Sequence, residues 1–239
     1  MRKTRTHRDE RHGNSRREPP AFIFDLDGTL VDSVYQHVLA WSDALERARI
    51  ELSVWRIHRR IGMSGGLFVN ALARETGRRV TPQQAARLQR DHVRAFRRQS
   101  GKIRPLPGAR ALLARLSSLD VRWAIATSGR LESAQHSLTL LGVEPDTPVV
   151  TRDQVERAKP DPDLFLAAAD RLGVDVTETV VVGDSVWDLL AARRARALGV
   201  GLLSGGYGLD ELERAGAYRV YQDPADLLLH LDEIGVRSP

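Results

Sequence analysis

The sequence predicts an α/β protein, a doubly wound parallel sheet with an inserted all-helical cap subdomain. Three observations carry this expectation. From residue 105 onward, short apolar runs alternate with amphipathic stretches at helical spacing. Near the start, the apolar run Ala21-Phe22-Ile23-Phe24 reads as a buried strand of a parallel sheet. Between 33 and 104 no clear strand pattern appears, and those roughly 70 residues are enough for a separate helical unit.

In chain order, residues 1–20 hold seven Lys or Arg against three acids and almost no apolar side chain. They read as a disordered basic tail without the apolar core of a secretory signal. The net charge of the whole chain is +5, so the remainder is close to neutral and nucleic acid is not expected as a partner. After the first strand, helices are expected over 34–49, with Val38, Trp41, Leu45 and Ala48 on one face, and over 54–61. Met63-Ser64-Gly65-Gly66 breaks the pattern. A helix over 67–76 stops at Gly77, and Thr81-Pro82 opens another that runs to about residue 98. Beyond Pro107-Gly108, helices are expected over 109–119, 131–141, 162–172, 186–197, 210–215 and 224–234. Strands are expected over 121–126, 149–150, 179–182, 200–203 and 218–221. The expected organisation is a tail (1–20), an α/β core (21–32 and 105–239) and a helical cap (33–104).

Composition sets limits. A chain of 239 residues with 42% apolar and 28% charged side chains is that of a soluble globular protein. The absence of cysteine excludes disulfide and thiolate chemistry and fits a reducing compartment. No apolar run approaches the length of a membrane span. A cytoplasmic monomer or homodimer is expected.

The chemistry concentrates where strands end. Asp25 and Asp27 follow the first strand, then Gly28 permits a sharp turn and Thr29 adds a hydroxyl. Ligands bind beyond the carboxyl ends of parallel strands. Alternate residues of an extended chain share a face, so the two acids are expected to converge. Mg2+ would offset their repulsion by taking one Asp25 oxygen, leaving the other free to attack an electrophile. Asp27 could then act as general acid and base. A calcium loop needs glycine at position six and glutamate at twelve, whereas counting from Asp25 the glycine stands fourth and Gln36 twelfth. An ordinary acid pair at a strand-to-turn junction is the bland alternative.

Three later stretches belong with this one. Thr127-Ser128-Gly129 ends a strand, and a hydroxyl with consecutive backbone N–H groups makes an anion site, or simply a helix cap. Lys159 sits between Ala158 and Pro160-Asp161-Pro162 and offers a point charge to phosphate. Gly183-Asp184-Ser185 ends another strand, with Asp188 one helical turn later. A third carboxylate, Asp184, converging on Asp25 and Asp27 calls for a metal.

These four stretches, in this order, resemble the motifs of the haloacid dehalogenase superfamily in its D-x-D-G-T phosphatase form. The resemblance covers residues 21 to about 234. The helical insertion looks like the cap of the phosphoglycolate phosphatase and β-phosphoglucomutase branch. The resemblance implies a Mg2+-dependent phosphomonoester hydrolase working through an aspartyl phosphate on a small phosphorylated metabolite of the phosphoglycolate or sugar phosphate type. It implies Asp25 as nucleophile and Asp27 as acid and base. Thr127, Ser128, Gly129 and Lys159 would bind phosphate, and Asp25, Asp27 and Asp184 would bind the metal. Thr29 would act from the outer shell, and Asp188 either from there or on Lys159. The stretch from Arg60 to Gly66 resembles the cap loop that dips toward substrate, which makes Arg60, Ser64 and Gly65 the specificity candidates. Arg60 could pair with a second anionic group. A sugar phosphomutase is the alternative, although such relatives often carry Glu where this chain has Gly183. A dehalogenase would lack Asp27. A non-catalytic phosphate-ligand binding protein would be expected to lose a motif, and none is lost. One departure is Arg196, where relatives usually carry glycine at a helix end.

Overall fold

The structure, a computed structural model, describes residues 19–237. The expectation of a disordered tail at residues 1–18 lies outside the described residues. The chain opens with β1 (Ala21–Phe24) and the short β2 (Val31–Asp32). Four helices follow: α1 (Val34–Arg47), α2 (Val54–His58), α3 (Gly65–Thr76) and α4 (Pro82–Gln99). The return passes through β3 (Arg104–Pro105), α5 (Ala109–Ser118), β4 (Trp123–Ala126), α6 (Leu131–Leu141), β5 (Val149–Val150) and α7 (Asp163–Leu172). It ends with β6 (Thr179–Gly183), α8 (Val186–Ala195), β7 (Leu198–Leu202), α9 (Leu209–Ala215), β8 (Arg219–Tyr221) and α10 (Pro224–Leu229).

Six strands form one parallel sheet in the order β5-β4-β1-β6-β7-β8. The chain builds outward from β1 through β4 to β5, then crosses to the other side of β1 for β6, β7 and β8. The switch point therefore lies between β1 and β6, and the crevice beyond their carboxyl ends is the natural ligand site. Both strands are buried along their whole length, as helices on both faces require. Phe22 and Phe24 point into one core, with Leu112, Leu116 and Leu138. Ile23 points into the other, with Phe165, Ala168 and Ala191. This alternation explains why a continuous apolar run is a strand here.

The helical insertion has a core of its own, built from Val38, Trp41, Leu45, Ile57, Phe68 and Leu72. Its two connections to the sheet lie side by side as an antiparallel ribbon, Val31 opposite Pro105 and Asp32 opposite Arg104. With two residues per strand, the ribbon is too short to show a period in sequence. Several boundaries moved, among them α1 and α2, which end at Arg47 and His58, and β7, which spans Leu198–Leu202. α3 begins at Gly65 because Ser64 caps it, accepting the Leu67 N–H at 3.4 Å. α8 ends at Ala195, with Arg196 left-handed at φ 63. The last expected helix is two pieces, α10 and a 3-10 turn over Leu231–Ile234. Among the described residues no helix is long and apolar enough to cross a membrane.

Candidate active site

β1 stops at Phe24, but Asp25 stays tied to the sheet, its N–H donating to Val182 O at 2.9 Å. Asp184 follows β6 and Lys159 arrives from the loop before α7. Lys159 is fully buried. Its ammonium donates to Asp25 Oδ1 and to Ala126 O at 2.8 Å, and pairs with Asp188 Oδ1 at 2.8 Å. Burial alone would pull the lysine pKa down; Asp188 and Asp25 outweigh burial and leave it raised. Asp188 has a second task, since its other oxygen accepts from Ser185 N at 3.1 Å and Ser185 Oγ at 2.5 Å, closing the cap of α8.

Asp184 is fixed from three sides. Thr29 Oγ1 donates to Asp184 Oδ1 at 2.8 Å. Gly28, at φ +90, and Gly205 both press so close that an added Cβ on either would overlap the Asp184 carboxylate. Oxygens of Asp25, Asp184 and Asp188 lie within 4.8 Å of one another. Burial first, then the Lys159 attraction and the Asp188 and Asp27 repulsions, leave Asp25 pushed up to about 7. Burial, then Asp188 and Asp25, holds Asp184 well above the usual carboxylate range. A divalent cation would offset that repulsion, and three hard carboxylate oxygens fit Mg2+.

The expected convergence of Asp25, Asp27 and Asp184 needs correction. The three acids whose oxygens are brought together are Asp25, Asp184 and Asp188, and Asp188 sits on Lys159, one of the two places expected for it. The side chain of Asp27 turns elsewhere, because β1 ends before it and strand alternation no longer applies. Ser33 Oγ donates to Asp27 Oδ1 at 2.6 Å, and His37 Nε2 lies 3.4 Å from the same oxygen. Burial would raise this carboxyl; His37 and then Ser33 outweigh it and hold Asp27 below its ordinary value.

A cavity of about 290 Å³ separates the sheet from the helical insertion. Asp25, Asp27, Thr127 and Ser128 line its core side, and Trp41 and Gln89 its cap side. Two of the backbone donors expected at Thr127-Ser128-Gly129 are already engaged, Thr127 N on Val150 O at 2.9 Å and Gly129 N on Thr127 Oγ1 at 3.0 Å. The Thr127 hydroxyl, accepting from Gly129, keeps its own proton free to donate. Ser128 Oγ is buried and has no hydrogen-bond partner among the described residues. A buried orphan hydroxyl on the cavity wall fits an anionic ligand.

The cap loop faces the same cavity. Arg60, Ser64 and Gly65 all line the cavity. The Arg60 guanidinium, however, donates to the Glu75 carboxylate and to Arg56 O at 2.8 Å, so its charge is held within the cap. The residues missed in sequence are His37, His92 and Gly205. His37 stands four residues after Ser33 in the same helix, so helical spacing from Asp27's partner was the one signal available for it. Gly205 lay in a glycine-rich stretch to which no role was given.

The haloacid dehalogenase-like hydrolase profile matches residues 19–196. The chain belongs to this family. It is 34% identical to hexitol phosphatase A of Escherichia coli over 177 residues, 73% of this chain and 78% of that one. It is 33% identical to a phosphoglycolate phosphatase of Rhodospirillum rubrum over 221 residues, 87% of this chain and 89% of that one. A hydrolase from Pseudomonas syringae, of known structure, superposes with a TM-score of 0.89 at 56% identity, covering 91% of this chain and 100% of that chain. The matched region of the haloacid dehalogenase-like hydrolase profile contains Asp25, Asp27, Thr127, Lys159, Asp184 and Asp188.

Proposed function

We propose that this hydrolase is a Mg2+-dependent phosphatase of small phosphorylated metabolites, working through a phosphoryl group carried on Asp25. One observation supports this most: Asp25, held by Lys159, lines a cavity together with Asp27 and the unpartnered Ser128 hydroxyl. The names of the hexitol phosphate and phosphoglycolate relatives agree with such a substrate.

Asp25 and Asp184 would hold Mg2+, with Asp188 beside them fixed on Lys159 and Ser185, and the ion would supply positive charge to the transferred phosphoryl group. A carboxylate oxygen of Asp25 attacks phosphorus, and the ester bond to the leaving oxygen breaks. Asp27 gives that oxygen a proton and regains one from the water that cleaves the aspartyl phosphate. Lys159, the Thr127 hydroxyl and Ser128 Oγ offset negative charge on the phosphoryl oxygens. The mutase alternative loses support at Gly183, where an added Cβ would overlap Asp188 and leave no room for glutamate. The chain's lack of cysteine supports a cytoplasmic setting.

The test is Asp25→Asn. Turnover of every phosphomonoester should fall to background while the fold persists, and phosphate trapped on the wild-type enzyme should map to Asp25. Substantial activity in the Asn variant would end the covalent mechanism.

A further inference from the structure

Two histidines of the cap, neither anticipated in sequence, form a chain that ends on Asp27. His37 Nε2 is 3.4 Å from Asp27 Oδ1, and His37 Nδ1 is 3.1 Å from His92 Nε2. The first comes from α1 and the second from α4, so the contact bridges two helices of the insertion. Both rings sit in an aromatic column. His37 stacks on Phe96 with centroids 3.9 Å apart, and His92 stacks on Trp41 at 4.3 Å. Trp41 stacks in turn on Phe68 at 4.1 Å. The column clamps both ring planes, and the two flip states of each ring about its Cβ–Cγ bond differ in which ring atoms meet a hydrogen-bond partner.

We propose that His92 is a positioning residue: it holds His37 with Nε2 facing Asp27, and thereby aims the carboxyl that serves the leaving oxygen. This rests on the reading of Asp27 as general acid and base. The contact between His37 Nε2 and Asp27 Oδ1 needs a nitrogen, not a ring carbon, on the side that faces the carboxyl. The other nitrogen, Nδ1, then needs a partner of its own, and His92 Nε2 at 3.1 Å is the group within reach, with one proton shared between them. Without it, Nδ1 would be left beside Phe96 with no partner, and an unpaired buried ring nitrogen is costly. A ring flip would relieve that cost by turning carbon toward Asp27. The neutral state of His92 suits the role: burial and then His37 draw its pKa well below 6.5. The 3.4 Å separation is long for a hydrogen bond, as such contacts often are before substrate binds.

The test uses two esters of one shape, phenyl phosphate and p-nitrophenyl phosphate. Phenoxide needs a proton to leave far more than p-nitrophenoxide does. In the full chain with Mg2+, His92→Leu should lower kcat/KM about tenfold on phenyl phosphate and less than about twofold on p-nitrophenyl phosphate. His92→Gln, whose amide can bond His37 Nδ1, should restore the ratio. His37→Phe should change the ratio as His92→Leu does, and the double variant should add nothing further. Equal losses on both esters, an unchanged ratio, or failure of Gln to restore it would each overturn the role of His92. Asp27→Asn separates the two levels. If it too spares the ratio, the acid–base reading of Asp27 falls; if it alters the ratio while His92→Leu does not, only the positioning role falls.

Discussion

Among single residues, Lys159 carries the largest electrostatic burden. It is buried between Asp25 and Asp188, so replacing it strands two carboxylates out of water. Lys159→Met should cost about 3–5 kcal/mol in urea unfolding, far more than Asp188→Asn, which leaves the lysine its bonds to Asp25 and Ala126 O. Equal losses in the two variants would show that the ion pair is not what the fold depends on. His92 gives a prediction in pH. Its folded pKa lies below the 6.5 of the unfolded chain, so the unfolded chain binds the proton first. Stability should fall as pH drops through 6.5, by up to about 1.4 kcal/mol per unit for this group. Thermal melts between pH 7 and about 5.5 should show a shallower decline in His92→Gln than in wild type. Residues of the first kind were legible in sequence, because Asp25, Thr127 and Asp184 close apolar runs and Lys159 sits among prolines. The histidines were not, because which helix face meets Asp27 depends on how α1 and α4 pack.

At the level of elements, glycines and helix ends carry the informative strain. α8 ends on Arg196 at φ 63, where a side chain is unfavourable by roughly 1–2 kcal/mol. Glycine would remove that strain while adding about 0.4–1 kcal/mol of unfolded-chain entropy. Arg196→Gly should therefore stabilise the protein by about 0.5–1 kcal/mol, with kcat unchanged. A fall in melting temperature would mean that the arginine side chain makes contacts worth more than the strain. Elements with a long period or a firm stop were readable in advance. The four-residue strand β1, the capped α4 and the Gly173 stop of α7 are of this kind. The β2–β3 ribbon was not, since its partners lie on either side of the whole helical insertion and each strand has two residues.

For the whole molecule, three acids, two from strand ends and Asp188 from the first turn of α8, meet only when β1 and β6 are paired. Excess chelator should abolish turnover, and Mg2+ should restore it; undiminished activity without divalent cation would remove the metal from the mechanism. The same construction has a consequence for synthesis. β1 is the first strand made and lies at the centre of the sheet, yet its partners β4 and β6 come roughly 100 and 160 residues later. At ribosomal rates of 5–20 residues per second, the apolar segment Ala21–Phe24 waits about 8–30 s for β6. The helical insertion, with its own core, can fold during that wait. The nascent chain therefore passes through a stage with a finished cap, an unpaired central strand and no active site, and it is at this stage that a chaperone would find it most in need of protection.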